Sequence, residues 1–209
     1  MAPDRPRDTQ PGYDASMKII RGLPPELRSQ AAELFWAGFG QKLKRPLLGD
    51  AEKGKRFVTH MMDSDAMLSA VEDDELLGIL MLVDQDHPTK TGEWRGAREI
   101  YGLLGGVVRL ALVAPLDDKP APGALHVDWI CVAPTARGKG VGAALLRETE
   151  SVARERGFAT VSLSVVDTNS RAKALYERLG FVVTATKSAW PFRWLYGFEK
   201  YDEMAKRLA

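Results

Sequence analysis

Apolar positions along this chain switch repeatedly between a period of two and a period near 3.6, the marks of half-buried strands and amphipathic helices. Residues 17–20 read as a short first strand. After Pro24 and Pro25, apolar residues Leu27, Ala31, Leu34, Phe35 and Phe39 recur at helical steps and predict a helix. Phe57, Met61 and Met62 predict a second. Residues 66–71 and 76–83 form two strands joined by the acidic turn Glu72-Asp-Asp-Glu75, a hairpin. Residues 84–99 are polar, and the apolar run 99–113 is long enough to favour helix over strand, despite Gly102, Gly105 and Gly106.

The second half of the chain reads more sharply. Residues 125–132 are a strand, 133–139 a turn, and 140–156 a helix with a Val141, Leu145, Val152 stripe closed by Gly157. Val161, Leu163 and Val165 alternate with Ser162 and Ser164 in a strand over 160–166. Asn169 or Ser170 caps a short helix with Ala172, Leu175 and Leu179 on one side, ended by Gly180. Residues 181–187 and 192–200 read as two final strands. Residues 1–15, with three prolines and five charges and no period, read as a disordered tail. The rest, 16–209, reads as one domain carrying an insertion at 84–124.

Composition narrows the classes. At 209 residues and 45% hydrophobic, the chain can bury a real core. A net charge of +1 leaves no broad footprint for a nucleic-acid backbone. The single cysteine, Cys131, excludes an intramolecular disulfide and a multi-cysteine zinc site, and no metal is expected. The apolar run 100–114 is interrupted by Arg109 and is shorter than the roughly 20 residues a membrane span needs. The N-terminus lacks the apolar centre of a secretory signal. A cytoplasmic protein, with neither membrane nor nucleic-acid partner, is expected.

The chemistry concentrates at Arg137-Gly138-Lys139-Gly140-Val141-Gly142-Ala143, between a strand and a helix. The first turn of a helix has unpaired N–H groups and about half a positive charge, so it attracts anions. The glycines allow close backbone approach to a diphosphate, and Arg137 and Lys139 add charge. A P-loop would need Ser or Thr after the lysine, where Gly140 stands. A dinucleotide fingerprint would need its first glycine directly after the strand. Both readings fail.

The pattern resembles motif A of the GCN5-related N-acetyltransferases (GNATs), Arg/Gln-x-x-Gly-x-Gly/Ala. Ile130-Cys-Val132-Ala-Pro134 upstream, and Asn169, Ala172, Leu175-Tyr176 and Gly180-Phe181 downstream, match further family segments in the right order. The resemblance implies a three-layer α/β fold: a mixed sheet of six to seven strands, two central strands splayed apart, and flanking helices. It also implies direct transfer of an acetyl group from acetyl-CoA, the cosubstrate, to a primary amine. A small-molecule acceptor is the first expectation. A protein or peptide acetyltransferase and a non-catalytic acyl-CoA sensor are the alternatives.

Residue by residue, the resemblance implies that the cofactor runs along the backbone of Ile130, Cys131 and Val132. Its diphosphate would lie on the amides of residues 137–143, within reach of Asn169. The N–H of Ile130 would polarise the thioester oxygen, and Tyr176 would protonate the departing thiolate, as a phenol near pKa 10 can. The base is His126 or Asp128. By a period of two, His126, Asp128, Ile130 and Val132 share one face, and a histidine near pKa 6.5 suits amine deprotonation. Cys131 falls on the opposite face and reads as core, not nucleophile. Arg171 and Lys173 are candidates for the cofactor's 3′-phosphate, against a plain solvated role. Arg147, Arg154 and Arg156 read as a solvated helix side. Trp190, Phe192, Trp194, Tyr196 and Phe198 alternate and read mostly as core, with Trp190 or Trp194 at the acceptor pocket's edge. The insertion is expected beside the acceptor mouth or at a homodimer contact.

Overall fold

A computed structural model describes residues 16–43, 51–85, 90–113, 122–190 and 197–209. The proline-rich tail and three of the C-terminal aromatics, Phe192, Trp194 and Tyr196, lie outside those residues. Strands β1 (Lys18–Arg21), β2 (Met67–Glu72), β3 (Glu75–Val83), β4 (Ala124–Val132), β5 (Thr160–Val166), β6 (Val182–Ser188) and β7 (Lys200–Arg207) form one sheet in the order β1-β2-β3-β4-β5-β7-β6. Only β4 and β5 pair in parallel, and the other neighbours are antiparallel. The β2–β3 hairpin turns on Asp73 and Asp74, both at positive φ, the left-handed geometry that suits strand twist.

Helices α1 (Arg28–Leu43) and α2 (Ala51–Met61) cover one face. There Leu27, Ala31 and Phe35 meet Ile79, Met81 and Cys131. Helices α4 (Val141–Glu155) and α5 (Ser170–Arg178) lie on the other face. Leu145, Leu146 and Tyr176 pack there with Leu80, Val127 and Leu163. This is the α/β three-layer arrangement, with the mixed sheet in the middle. Among the described residues no helix is long and apolar enough to cross a membrane.

Helix α3 (Lys90–Val113) occupies the segment between β3 and β4. It begins nine residues before the apolar run and is broken at Gly102, whose φ of 73° and ψ of 176° are open only to glycine. The break brings Gly106 against the Ala97 backbone, where a Cβ would sit 3.0 Å from the carbonyl carbon. Phe57 of α2 packs on Ala97, Ile100, Tyr101 and Leu110. Leu103, Leu104, Val107 and Val108 face outward.

The last strand is a correction to the sequence reading. It runs over Lys200–Arg207 instead of 192–200, and residues 197–199 are not strand. Its inward positions include Asp202 and Lys206, held by Lys173 and Glu150 at 2.7 and 2.6 Å. Ion pairs there replace the apolar alternation that marks an ordinary strand.

Candidate active site

The parting of two strands creates the site. The β4–β5 register is Ala124↔Thr160 through Val127↔Leu163, and there it ends. β4 continues to Val132 and β5 to Val166, so the backbone of β4 beyond Val127 has an edge that β5 does not occupy. At the same level β4 is bulged on its β3 side. Met81 pairs with Trp129 and Leu82 with Val127, which leaves Asp128 as the extra residue.

The bulge corrects the face assignment. Leu125, Val127, Ile130 and Val132 belong with the α4/α5 core, whereas Trp129 and Cys131 belong with α1 and α2. His126, between Leu125 and Val127, therefore faces the α1/α2 side with Trp129 and Cys131, opposite Ile130 and Val132. A strict period of two does not survive an inserted residue.

Beyond β4 the chain makes one 3₁₀ turn, Pro134–Ala136, and enters α4 through Gly138 and Gly140, both at φ 85°. Gly140 is the N-cap and provides no side-chain cap to the first amides of α4. Those amides point where an anion can accept from them. Arg171 adds charge, its Nη2 lying 3.7 Å from where a Cβ on Gly138 would be. Gly142 lies against Leu175, Val132 and Ile130, a Cβ there meeting Leu175 Cδ2 at 3.3 Å.

A cleft of about 640 Å³ joins these parts. Ile130, Cys131 and Val132 form one wall, Arg137 to Ala143 (except Lys139) the head, and Asn169, Ala172, Leu175 and Tyr176 the α5 side. Lys139 is exposed and outside that lining. Asn169 is the N-cap of α5, its Oδ1 accepting from the Ala172 N–H at 3.2 Å, while it also borders the cleft.

Several cleft residues escaped the sequence reading. Leu34, Ala37, Gly38 and Phe39 of α1 form a wall, and Arg147 and Arg178 line the cleft too. Gly38 carried the one available signal, a glycine inside a helix, which marks close approach. A Cβ there would lie 3.4 Å from Cys131 Sγ. Arg147 borders the cleft and is not simply part of a solvated helix side, a difference that helical spacing alone cannot reveal. Lys173 turns away to Asp202 on β7 and is not at the cleft. Arg154 pairs with Glu150 at 3.4 Å, and Arg156 lies 4.0 Å from the buried Asp84.

The titratable groups divide by environment. Burial pushes the Tyr176 phenol up to about 12, with nearby Cys131 adding to the shift. It keeps its proton at neutral pH. Burial also pushes the Cys131 thiol up, against the pull of Arg137, which makes it a poor nucleophile. His126 is 5% exposed, and its Nδ1 lies 2.9 Å from Ser162 Oγ on β5. Asp128 is exposed on the bulge. Trp190 is exposed and Phe198 buried. The described residues hold no group of three or more His, Cys, Asp or Glu able to bind a metal. The whole suits a long ligand with a polyanionic head on the glycine turn and an extended amide arm along β4.

Comparison with known proteins agrees with this geometry. Residues 30–181 match the family model described as "Acetyltransferase (GNAT) family". The chain is 42% identical over 65 residues to streptothricin acetyltransferase of Streptomyces lavendulae, covering 31% of this chain and 34% of that protein. It is 36% identical over 56 residues to thialysine N-epsilon-acetyltransferase of Bos taurus, covering 27% and 33%. The matches thus span about a third of the length of these curated relatives. A GCN5-related N-acetyltransferase structure from Kribbella flavida superposes with a TM-score of 0.60 at 19% identity, over 92% of this chain and 98% of that one, a likeness of fold.

Proposed function

Because this chain belongs to the acetyltransferase (GNAT) family, matching it over residues 30–181, we propose that it transfers the acetyl group of acetyl-CoA directly to a primary amine of a small molecule. One observation carries the reading: β4 parts from β5 beside an uncapped, glycine-lined helix N-terminus. Few ligands need both an anion cradle and a free strand edge. Coenzyme A has a diphosphate for the first and amide-bearing pantetheine for the second. The relatives named for streptothricin and for the N-epsilon of thialysine support a small amine as acceptor.

The residues divide the work as follows. The amides of residues 138–143, with Arg137 and Arg171, hold the diphosphate end. The backbone of Ile130 to Val132 pairs with the pantetheine arm, in the manner of an added strand. The Ile130 N–H donates to the thioester oxygen, where negative charge gathers as the amine attacks. Asp128, exposed at the bulge, attracts the ammonium form of the acceptor. His126 takes the amine proton, directly or through water. Tyr176 donates its proton to the departing thiolate, a role suited to a phenol held neutral by burial. Cys131 takes no part, its thiol being buried and hard to ionise.

Incubating the chain with acetyl-CoA and a panel of polyamines, aminoglycosides, thialysine, streptothricin and short peptides, while following free thiol, tests this. Release stimulated by a small amine is expected. Binding of acetyl-CoA without release across the panel would favour an acyl-CoA sensor, and release with peptides alone would move the acceptor to protein.

A further inference from the structure

We propose that Gly38 of α1 keeps open a place for the acyl group of the cosubstrate, so that the protein accepts acyl-CoA thioesters longer than acetyl-CoA. The inference rests on the reading of the cleft as an acyl-CoA site. Its own support is a glycine that neither backbone geometry nor packing requires.

Glycine inside a helix costs stability relative to alanine, so a reason for it is sought in the backbone or in a close neighbour. Gly38 lies within α1 and is not among the glycines at positive φ, so its backbone is open to any residue. The other glycines of α1 and α2, Gly40 and Gly54, are explained by Trp36, whose ring a Cβ would meet at 3.0 and 2.1 Å. At position 38 a Cβ would meet only Cys131 Sγ, at 3.4 Å, an ordinary contact. What a larger side chain there would fill is the cleft itself, which Gly38 lines.

The cleft is divided by charge. Among the described residues its charged lining consists of Arg137, Arg147, Arg171 and Arg178, on the turn into α4, on α4 and on α5. The α1 wall is apolar, with Leu34, Ala37 and Phe39 beside Gly38. Cys131, which burial keeps protonated and neutral, ties that wall to the reacting end. It follows Ile130, whose N–H takes the thioester oxygen in the proposed reaction, and it packs on the α1 side, where Gly38 approaches it. A cationic amine finds no carboxylate on this wall, because Asp128 lies outside the cleft lining. An acyl chain finds apolar surface and a gap the size of a missing side chain.

Calorimetric titration of the full chain with acetyl-, propionyl- and butyryl-CoA tests this without any amine. Affinity should rise roughly threefold with each added methylene, as expected when one is buried. In Gly38→Leu the order should invert, with butyryl-CoA losing roughly tenfold or more relative to acetyl-CoA. Gly38→Ala, which the helix accommodates, should lose about threefold for butyryl-CoA by the same measure, and it decides the matter if Gly38→Leu does not fold. Thermal midpoints of both variants report folding. Affinity that does not rise with chain length in the parent, or that rises as steeply in the variants, would overturn the proposal. So would variants that raise the KM for thialysine while the thioester order stays the same, which would give Gly38 to the acceptor. If no thioester binds, acetyl-CoA included, the acyl-CoA reading of the cleft fails and this inference with it. If acetyl-CoA binds and chain length has no effect, only the role of Gly38 falls.

Discussion

Tyr176 is buried and borders the cleft, so its proton is held by the same desolvation that holds its ring. Replacing it with Phe removes one oxygen and leaves the packing with Phe181, 6.1 Å away between ring centroids. We expect Tyr176→Phe to lower turnover about a hundredfold and to spare acetyl-CoA affinity, checked by kcat against a direct binding isotherm. Equal loss of both would make the residue a packing element. Stability offers a second check. The folded phenol sits at about 12, above an unfolded value near 10, so its contribution is complete below about pH 10 and fades as pH rises towards 12. The parent chain should lose stability relative to Tyr176→Phe across that window in denaturant titrations at matched pH. At this scale the sequence was informative where chemistry depends on residue type and motif order, as for Tyr176, Asn169 and the glycine turn. It could not orient His126, because one extra residue at Asp128 reverses the face of everything on one side of the bulge.

Among the elements, the turn into α4 makes a prediction with opposite signs. Gly140 has φ 85°, so Gly140→Ala should cost about 1–2 kcal/mol and weaken acetyl-CoA binding. Gly142 is already helical, and Leu175 Cδ2 at 3.3 Å is the movable end of a flexible side chain, so Gly142→Ala should keep or raise stability. Chemical denaturation of the two variants decides it. Between α1 and α2, a Cβ on Gly54 would overlap the Trp36 ring. Gly54→Ala should therefore cost about 1–3 kcal/mol, with part of the loss recovered in the double variant with Trp36→Leu. Most elements were legible because their buried faces are apolar at regular spacing, as in β5 and α4. β7 was not, since ion pairs to Lys173 and Glu150 supply its inward contacts. The early start of α3 was hidden for a related reason, its first turns being polar and punctuated by Gly92 and Gly96.

At the scale of the whole molecule, the two cores lie on opposite faces of one sheet, and the cleft opens where that sheet divides. A ligand seated there touches β4, the head of α4, α5 and α1 together, so occupancy should stabilise the fold as a unit. At a hundredfold excess over Kd the gain is about 2.7 kcal/mol, read as a rise in Tm. That much follows from any tight ligand. Specific to acetyl-CoA is where it would lie: along the free edge of β4 and on the glycine turn. Backbone amide exchange, measured residue by residue with and without acetyl-CoA, reads this placement. Slowed exchange is expected over residues 128–132 and 138–143, with β1 and β2 unchanged. Binding that leaves the amides of 128–132 and 138–143 exchanging as before would contradict it.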